Sequence, residues 1–266
     1  MLRPNLLRFS SSSWIPATRW CPLLRSAPSP STATFWRPTG LATGTSLQKR
    51  MLHGPPKPSP PRVFPPLYTS TGDEGQDKLA FFHVLERLKT QKRTGWVEHG
   101  IPNVESISDH MYRMSVLAMC VSDTNLDVGK CVMMAVVHDI AEAHVGDISP
   151  REGIPKAEKR RLEAEAMHNF VHDMLHDSPA AQRFEALWKE YEEGQTPEAK
   201  FVKDLDRIEM ALQASEYERT YAATNLQTFY DTSIPNINHS EVREWAQDLI
   251  EERKREGRGK IDDSKE

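Results

Sequence analysis

Cys131-Val132-Met133-Met134-Ala135-Val136-Val137-His138-Asp139-Ile140-Ala141-Glu142-Ala143-His144-Val145-Gly146-Asp147-Ile148 decides the reading of this chain. An apolar run gives way, with no spacer, to His, Asp and Glu. The run is far shorter than the ~20 residues a membrane-spanning helix needs. It therefore belongs in a protein interior, where polar groups need partners. Asp127 is placed to cap a helix carrying Cys131, Met134, Val137, Ile140 and Ala141 inward, and Gly146 to end it. At about 100° per residue, His138 and Glu142 project within about 40° of each other, with Asp139 about 60° beyond Glu142. Asp147 returns towards them after the Gly146 turn. Imidazole plus carboxylate is the ligand chemistry of zinc, manganese, iron or cobalt.

One helix cannot surround an ion, so further ligands must come from elsewhere. His110 lies on a helix capped by Ser106 or Ser108 and continued by Met114, Leu117 and Val121. Asp206 lies on a helix opened by Pro197, in phase with Val202 and Met210 and so near the apolar face. Asp204 reads as a plausible solvent residue. Other helical patterns are Leu79, Phe82, Leu85 and Leu88 after Asp77, a fourth helix from Pro155 to about Leu175, a fifth over 179–192 stopped by Gly194, and a seventh after Ser240. No period-2 stretch is long enough for a strand, which makes the fold all-α.

Composition divides the 266 residues in two. Residues 1–72 hold nine Lys/Arg, no Asp or Glu, and 13 of the 19 prolines; the rest of the chain carries a net charge of −13. The expected organisation is a disordered basic Pro/Ser-rich segment (1–72), a globular domain (73–256) and a charged tail (257–266). The first segment has the Arg-rich, Ser-rich, acid-free composition of a mitochondrial transit peptide, the alternative being a plain extension on a cytoplasmic protein. An acidic domain disfavours nucleic-acid polymers as partners, and no segment suits a bilayer. Three cysteines form neither a disulfide framework nor a CxxC zinc ribbon.

Five blocks together resemble a known family. They are Lys92-Arg93-Thr94-Gly95-Trp96-Val97, Glu105-Ser106-Ile107-Ser108-Asp109-His110, His138-Asp139-Ile140-Ala141-Glu142, Val145-Gly146-Asp147-Ile148 and Lys200-Phe201-Val202-Lys203-Asp204-Leu205-Asp206. They are similar to the HD-domain 5′-deoxynucleotidases of eukaryotes, within the HD superfamily of metal-dependent phosphohydrolases. The resemblance covers roughly residues 75–255. It implies an all-α HD-domain helical bundle, often a homodimer, that hydrolyses deoxyribonucleoside 5′-monophosphates. It implies one or two divalent cations per subunit (manganese, cobalt or magnesium). His110, His138, Asp139 and Asp206 would hold the first. Glu142, Asp147 and the carbonyl of Ile148 match positions given to a second. Glu142 and Asp147 also match the proton-handling groups, and Trp96 and Arg93 the substrate contacts. In bacterial members the arginine directly precedes the tryptophan, whereas Thr94-Gly95 intervenes here. Rival readings are an HD phosphohydrolase for cyclic nucleotides or nucleoside triphosphates, and a non-catalytic metal- or nucleotide-binding regulator.

Other features read more plainly. His168, His172 and His176 suit a solvated helix face, and His144 a surface position at a helix end. Met111, Met114, Met119, Met133 and Met134 suit core packing, and Cys120 and Cys131 suit small buried hydrophobes. The run Lys156–Arg161 reads as a solvated face, with screening of substrate charge as the second reading.

Overall fold

The computed structural model describes residues 62–221 and 225–258. The expected transit segment lies almost wholly outside them. Among the described residues the fold is all-α, as expected, and the only ladder-like contact is an isolated bridge between Lys92 and Ser106. Eleven α-helices run in order among these described residues: α1 (Glu74–Leu85), α2 (Arg87–Thr90), α3 (Thr94–Glu98), α4 (Ile107–Ala118), α5 (Val128–Val137), α6 (Glu142–Val145), α7 (Lys156–His168), α8 (Pro179–Glu193), α9 (Pro197–Thr220), α10 (Gln227–Ser233) and α11 (Ser240–Arg255).

The ends obey ordinary capping chemistry. Ser106, not Ser108, caps α4 in a reciprocal box with Asp109. Asp127 caps α5 by accepting from the Lys130 N–H at 2.9 Å. Ser178 and Thr196 cap α8 and α9, each with proline at the first helical position. Such caps contribute about 1 kcal/mol apiece. The 24 residues of α9 make a rod of about 36 Å that packs against α4, α5, α8, α10 and α11. The core lies between α4, α5 and α9, where Ile107, Met114, Cys131, Met134, Val202, Leu205 and Ile208 are fully buried.

Several expectations fail for local reasons. α1 turns Phe81 and Asp77 inward, one helical turn apart, so Leu79 and Phe82 face out, both more than half exposed. Met119 and Met133 are exposed as well, whereas Met111, Met114 and Met134 are core. Cys120 is exposed, and Cys131 is buried as expected. His144 is buried beside Arg87. Asp204 is not a solvent residue: its buried carboxylate accepts from the Asn238 and His239 N–H groups at 2.8 and 2.7 Å, fixing the start of α11. The fourth helix loses α geometry at Asn169 and passes into a π-helical turn, Asn169–Met174. There the Asn169 side chain grips the backbone of Tyr68 through both its oxygen (3.1 Å) and its nitrogen (2.8 Å). Of its histidines, His168 is exposed but His176 bonds Asp77 at 2.8 Å.

That grip shows where residues 62–72 go. They run, extended, against the helical body instead of trailing from it. Asp77 is their anchor, inaccessible to solvent and accepting from Tyr68 Oη (2.6 Å), Ser70 Oγ (2.6 Å) and Thr71 Oγ1 (2.7 Å). Burial alone would raise its pKa, but these hydrogen bonds hold it well below the usual carboxylate range. A depressed folded-state pKa means the stabilisation is complete above the unfolded value, about 3.9, and is lost as pH falls below it. Asp77→Asn is expected to lower Tm at pH 7 and to flatten the fall of Tm between about pH 4 and 2. Calorimetric scans across pH check this, and an unchanged acid limb refutes the anchor.

Candidate metal centre

Three helical elements bring the ligand candidates together. His110 comes from the first turn of α4, His138 and Asp139 from just beyond α5, and Asp206 from mid-α9. Ligand atoms of His110, His138 and Asp206 all lie within 4.8 Å of one another. His110 Nε2 is 3.3 Å from Asp206 Oδ1 and 3.9 Å from Asp139 Oδ2, and His138 Nε2 is 3.1 Å from Asp139 Oδ2. The two rings stand 5.4 Å apart, edge to face.

The outer nitrogens of these rings define the inner ones. His138 Nδ1 lies 2.9 Å from the Ala135 carbonyl, which can only accept, so Nδ1 carries a proton and, in the neutral ring, Nε2 has the lone pair. His110 Nδ1 lies 2.5 Å from Glu209 Oε2. Both Nε2 atoms are buried and lack a hydrogen-bond partner. An unsatisfied buried polar group costs about 1–3 kcal/mol, and two sit side by side with carboxylates facing them. This donor set fits a divalent cation; its mixture of imidazole nitrogen and carboxylate oxygen suits first-row metals better than calcium. Without an ion, burial and Arg93 disfavour a charged His110, but Glu209 and Asp206 outweigh them and push its pKa up to about 10. Ion and proton then compete for the same lone pair.

Local backbone geometry departs from the ideal helix here. After His138 the bonds shorten to the three-residue pattern: Glu142 N–H to the Asp139 carbonyl at 3.0 Å, and Ala143 N–H to the Ile140 carbonyl at 3.1 Å. In a 3₁₀ stretch residues three apart eclipse, so Asp139 and Glu142 share a face more closely than the α-helical wheel suggests. Glu142 is 2 % exposed, with Oε2 unpartnered and Oε1 3.5 Å from Lys159 Nζ. Burial first, then Asp139 and Asp147, raise its pKa well above the usual glutamate value.

Asp139, expected among the first ion's ligands, borders the three-residue group through His138 and His110 without being part of it, and Glu142 and Asp147 do not join it either. They line a cavity of about 590 Å³ beside it, together with Asp139, Asp206, Ile148, Arg93 and Trp96. Asp147 Oδ2 accepts from the Thr94 N–H at 2.7 Å. Arg93 is held by the Lys92–Ser106 bridge and points its guanidinium at Asp139 Oδ2, 3.4 Å away. Trp96 is almost fully buried, donates from Nε1 to Glu105 at 2.9 Å, and stacks on Phe229 with centroids 4.1 Å apart. All nine side chains singled out from sequence thus stand around one centre or its cavity.

A family model described as an HD domain matches residues 85–245. The chain belongs to the HD-domain family. Its HD domain is similar to the 5′-deoxynucleotidase HDDC2 of Homo sapiens, at 45 % identity over 70 % of this chain and 90 % of that protein. It is similar to the 5′-deoxynucleotidase hdd1 of Schizosaccharomyces pombe, at 44 % identity over 66 % and 89 %. Among solved structures, the HD domain-containing protein YGK1 superimposes with a TM-score of 0.56 at 31 % identity, covering 70 % of this chain and 90 % of that one.

Glu209, Phe229 and Lys159, and Arg62 upstream of the matched HD domain, contact the site or its supporting turn without having been singled out from the sequence. Glu209 orients His110 while also accepting from Arg113 Nε at 2.7 Å. Its signal was present in the spacing, since Glu209 follows Asp206 by three residues just as Arg113 follows His110. Phe229 comes from α10, which no periodicity announced. Arg62 binds the turn that carries Asp147, donating to the Val145 carbonyl (3.0 Å), the Asp147 carbonyl (2.6 Å) and Glu152 Oε2 (2.7 Å). Lys159 was read first as solvated, but lies between Glu142 and Glu163.

His138→Ala is expected to abolish retention of a divalent ion through gel filtration, measured by elemental analysis; full retention would remove His138 from the ligand set. Glu209→Gln, which keeps an acceptor for His110, is expected to weaken metal affinity by about 10–100-fold, as loss of a partner behind a ligating histidine does. Competition against a chelator measures that change.

Proposed function

We propose that this HD domain is a metal-dependent 5′-deoxynucleotidase that hydrolyses deoxyribonucleoside 5′-monophosphates to deoxynucleoside and phosphate. The observation that carries the reading is the pair of bare imidazole nitrogens facing Asp139 and Asp206 beside a cavity with one aromatic and one charged wall. A phosphomonoester needs both kinds of wall, and the relatives' names support the same substrate class.

His110, His138, Asp139 and Asp206 would hold one divalent ion, which supplies charge neutralisation for the phosphoryl group and acidifies water. Phe229, backed by the buried Trp96, offers flat apolar surface to the nucleoside. Arg93 and Lys159 stand by the carboxylates and oppose the phosphate's negative charge. Glu142, whose pKa is raised by burial and by Asp139 and Asp147, is our first candidate to give a proton to the departing 5′-oxygen. Asp147, fixed by Thr94, is the other candidate for that role. Glu142, Asp147 and the Ile148 carbonyl are also our candidates for a second ion, with manganese, cobalt or magnesium as the metals to try.

A homodimer is part of the proposal. Tyr112 and Met119 on and just after α4, and Met133 and Val136 on α5, leave an exposed apolar surface that supports a second copy; sedimentation velocity tests it. Delivery to mitochondria rests on the basic composition of residues 1–72 and is tested by fractionation.

The decisive measurement is phosphate release from deoxyribonucleoside and ribonucleoside monophosphates with each metal. Turnover of the deoxy compounds, abolished by chelation, is the expected result; none with any metal overturns the reading. Glu142→Gln is expected to retain metal and lose about 10²–10⁴-fold in kcat, the usual worth of a general acid–base group. An unchanged kcat would exclude Glu142 from proton handling.

A further inference from the structure

A second cavity, of about 690 Å³, adjoins the same centre. The two cavities share Asp139, Glu142, Lys156, Lys159 and Asp206 as a common wall. Their remaining linings differ in chemistry. The first adds Trp96, Met210, Ile154 and Phe229. The second adds Arg160, Lys203, Tyr191, Glu163 and Glu192.

Position along α9 shows how the metal candidates lie between them. Lys203 lines only the second cavity, Asp206 lines both, and Met210 lines only the first. These residues span about 10 Å of helix on one face. On α7 the order repeats: Arg160 lines only the second cavity, while Lys156 and Lys159 line both.

Four cations, Lys156, Lys159, Arg160 and Lys203, line the second cavity alongside the carboxylates of Asp139, Glu142, Glu163, Glu192 and Asp206. Lys159 is shared by Glu142 and Glu163, and Arg160 reaches Glu192 at 3.3 Å. Lys203 differs from these. It is half-buried, stands 4.3 Å over the Tyr191 ring, and has no carboxylate within 4.0 Å among the described residues. The carboxylates of Glu192 and Asp206 act on it only from beyond ion-pair distance, which leaves this partly withdrawn cation able to take an anion in direct contact.

Reaction geometry gives that anion an identity. In phosphoryl transfer the attacking and leaving oxygens lie roughly in line across phosphorus. Water forms the new P–O bond as the P–O5′ bond breaks. The bonding pair goes to O5′, which takes a proton, and the water's proton passes to a carboxylate. With the nucleoside in the aromatic cavity, water enters from the second cavity and the freed phosphate is left facing it.

We propose that the cavity lined by Lys156, Arg160 and Lys203 is a release site for inorganic phosphate, separate from the route taken by the deoxynucleoside. This rests on the hydrolase reading given above. The two products then leave by different mouths, and phosphate inhibits through contacts that the nucleoside never makes.

The test is calorimetric titration of metal-loaded, full-length protein with inorganic phosphate and, separately, with deoxyadenosine. In the double variant Arg160→Gln, Lys203→Gln, phosphate is expected to bind about fivefold more weakly, as two partly screened charges allow, with deoxyadenosine affinity unchanged. Arg160→Gln alone, at an exposed position, and Lys203→Arg, which keeps the charge, control for folding; the latter is expected to restore phosphate binding. Unchanged phosphate affinity in the double variant, or equal loss for both ligands, overturns the proposal. Turnover by the wild type is scored separately. Hydrolysis without any phosphate defect in the variant sinks the release site alone, whereas a phosphate defect in a protein that never hydrolyses monophosphates sinks the hydrolase reading and leaves an anion site.

Discussion

Two imidazoles are buried side by side with one nitrogen on each left bare, and the rest of the molecule is arranged around that cost. Neither ring can turn to satisfy itself. His138 is fixed by the Ala135 carbonyl and His110 by Glu209. Glu209 is in turn held by Arg113, from the same helix as His110. α4, α5 and α9 must therefore meet at one register, because a slip by one residue on any of them would carry a ligand or its partner out of reach. The dense packing of Ile107, Met114, Met134, Leu205 and Ile208 fixes that register.

Charge in the centre is balanced without being neutralised. Asp139, Glu142, Asp147 and Asp206 face Arg93 and Lys159, and the buried members cannot all remain ionised without positive charge close by. Two consequences appear in one place: a depressed Asp139 and a raised Glu142, two carboxyls three residues apart on the same turn. Environments that separate such neighbours divide their roles, with one holding charge and the other moving protons.

Much of this was legible in the sequence because ligand chemistry forces polar residues into apolar surroundings. His138-Asp139 after seven apolar residues, and Asp206 between Leu205 and Ile208, violate hydrophobic patterning in a way that only burial with a purpose explains. What was not legible depends on distant backbone. Leu79 and Phe82 carry as good an apolar spacing as Phe81 and Leu88, and it is the docking of residues 62–72 on Asp77, with Phe81 packed on Phe170 and Phe184, that turns one face inward. Phe229 and Arg62 lie on segments without periodicity, so nothing local announced them. Asp204 looked ordinary because its one local partner is Arg207, an everyday i,i+3 pair, while the two backbone N–H groups that account for its burial are 34 and 35 positions away.

The Arg62 brace reaches beyond the domain it serves. The family's common core is matched only from residue 85, yet the guanidinium that holds the Val145 and Asp147 carbonyls comes from well before it. It packs so closely on Gly146 that an added methyl there would sit 2.3 Å from Nη1. A fragment trimmed to the shared core would carry every ligand yet leave that turn unlatched, so the upstream strap belongs to the smallest unit worth crystallising or engineering.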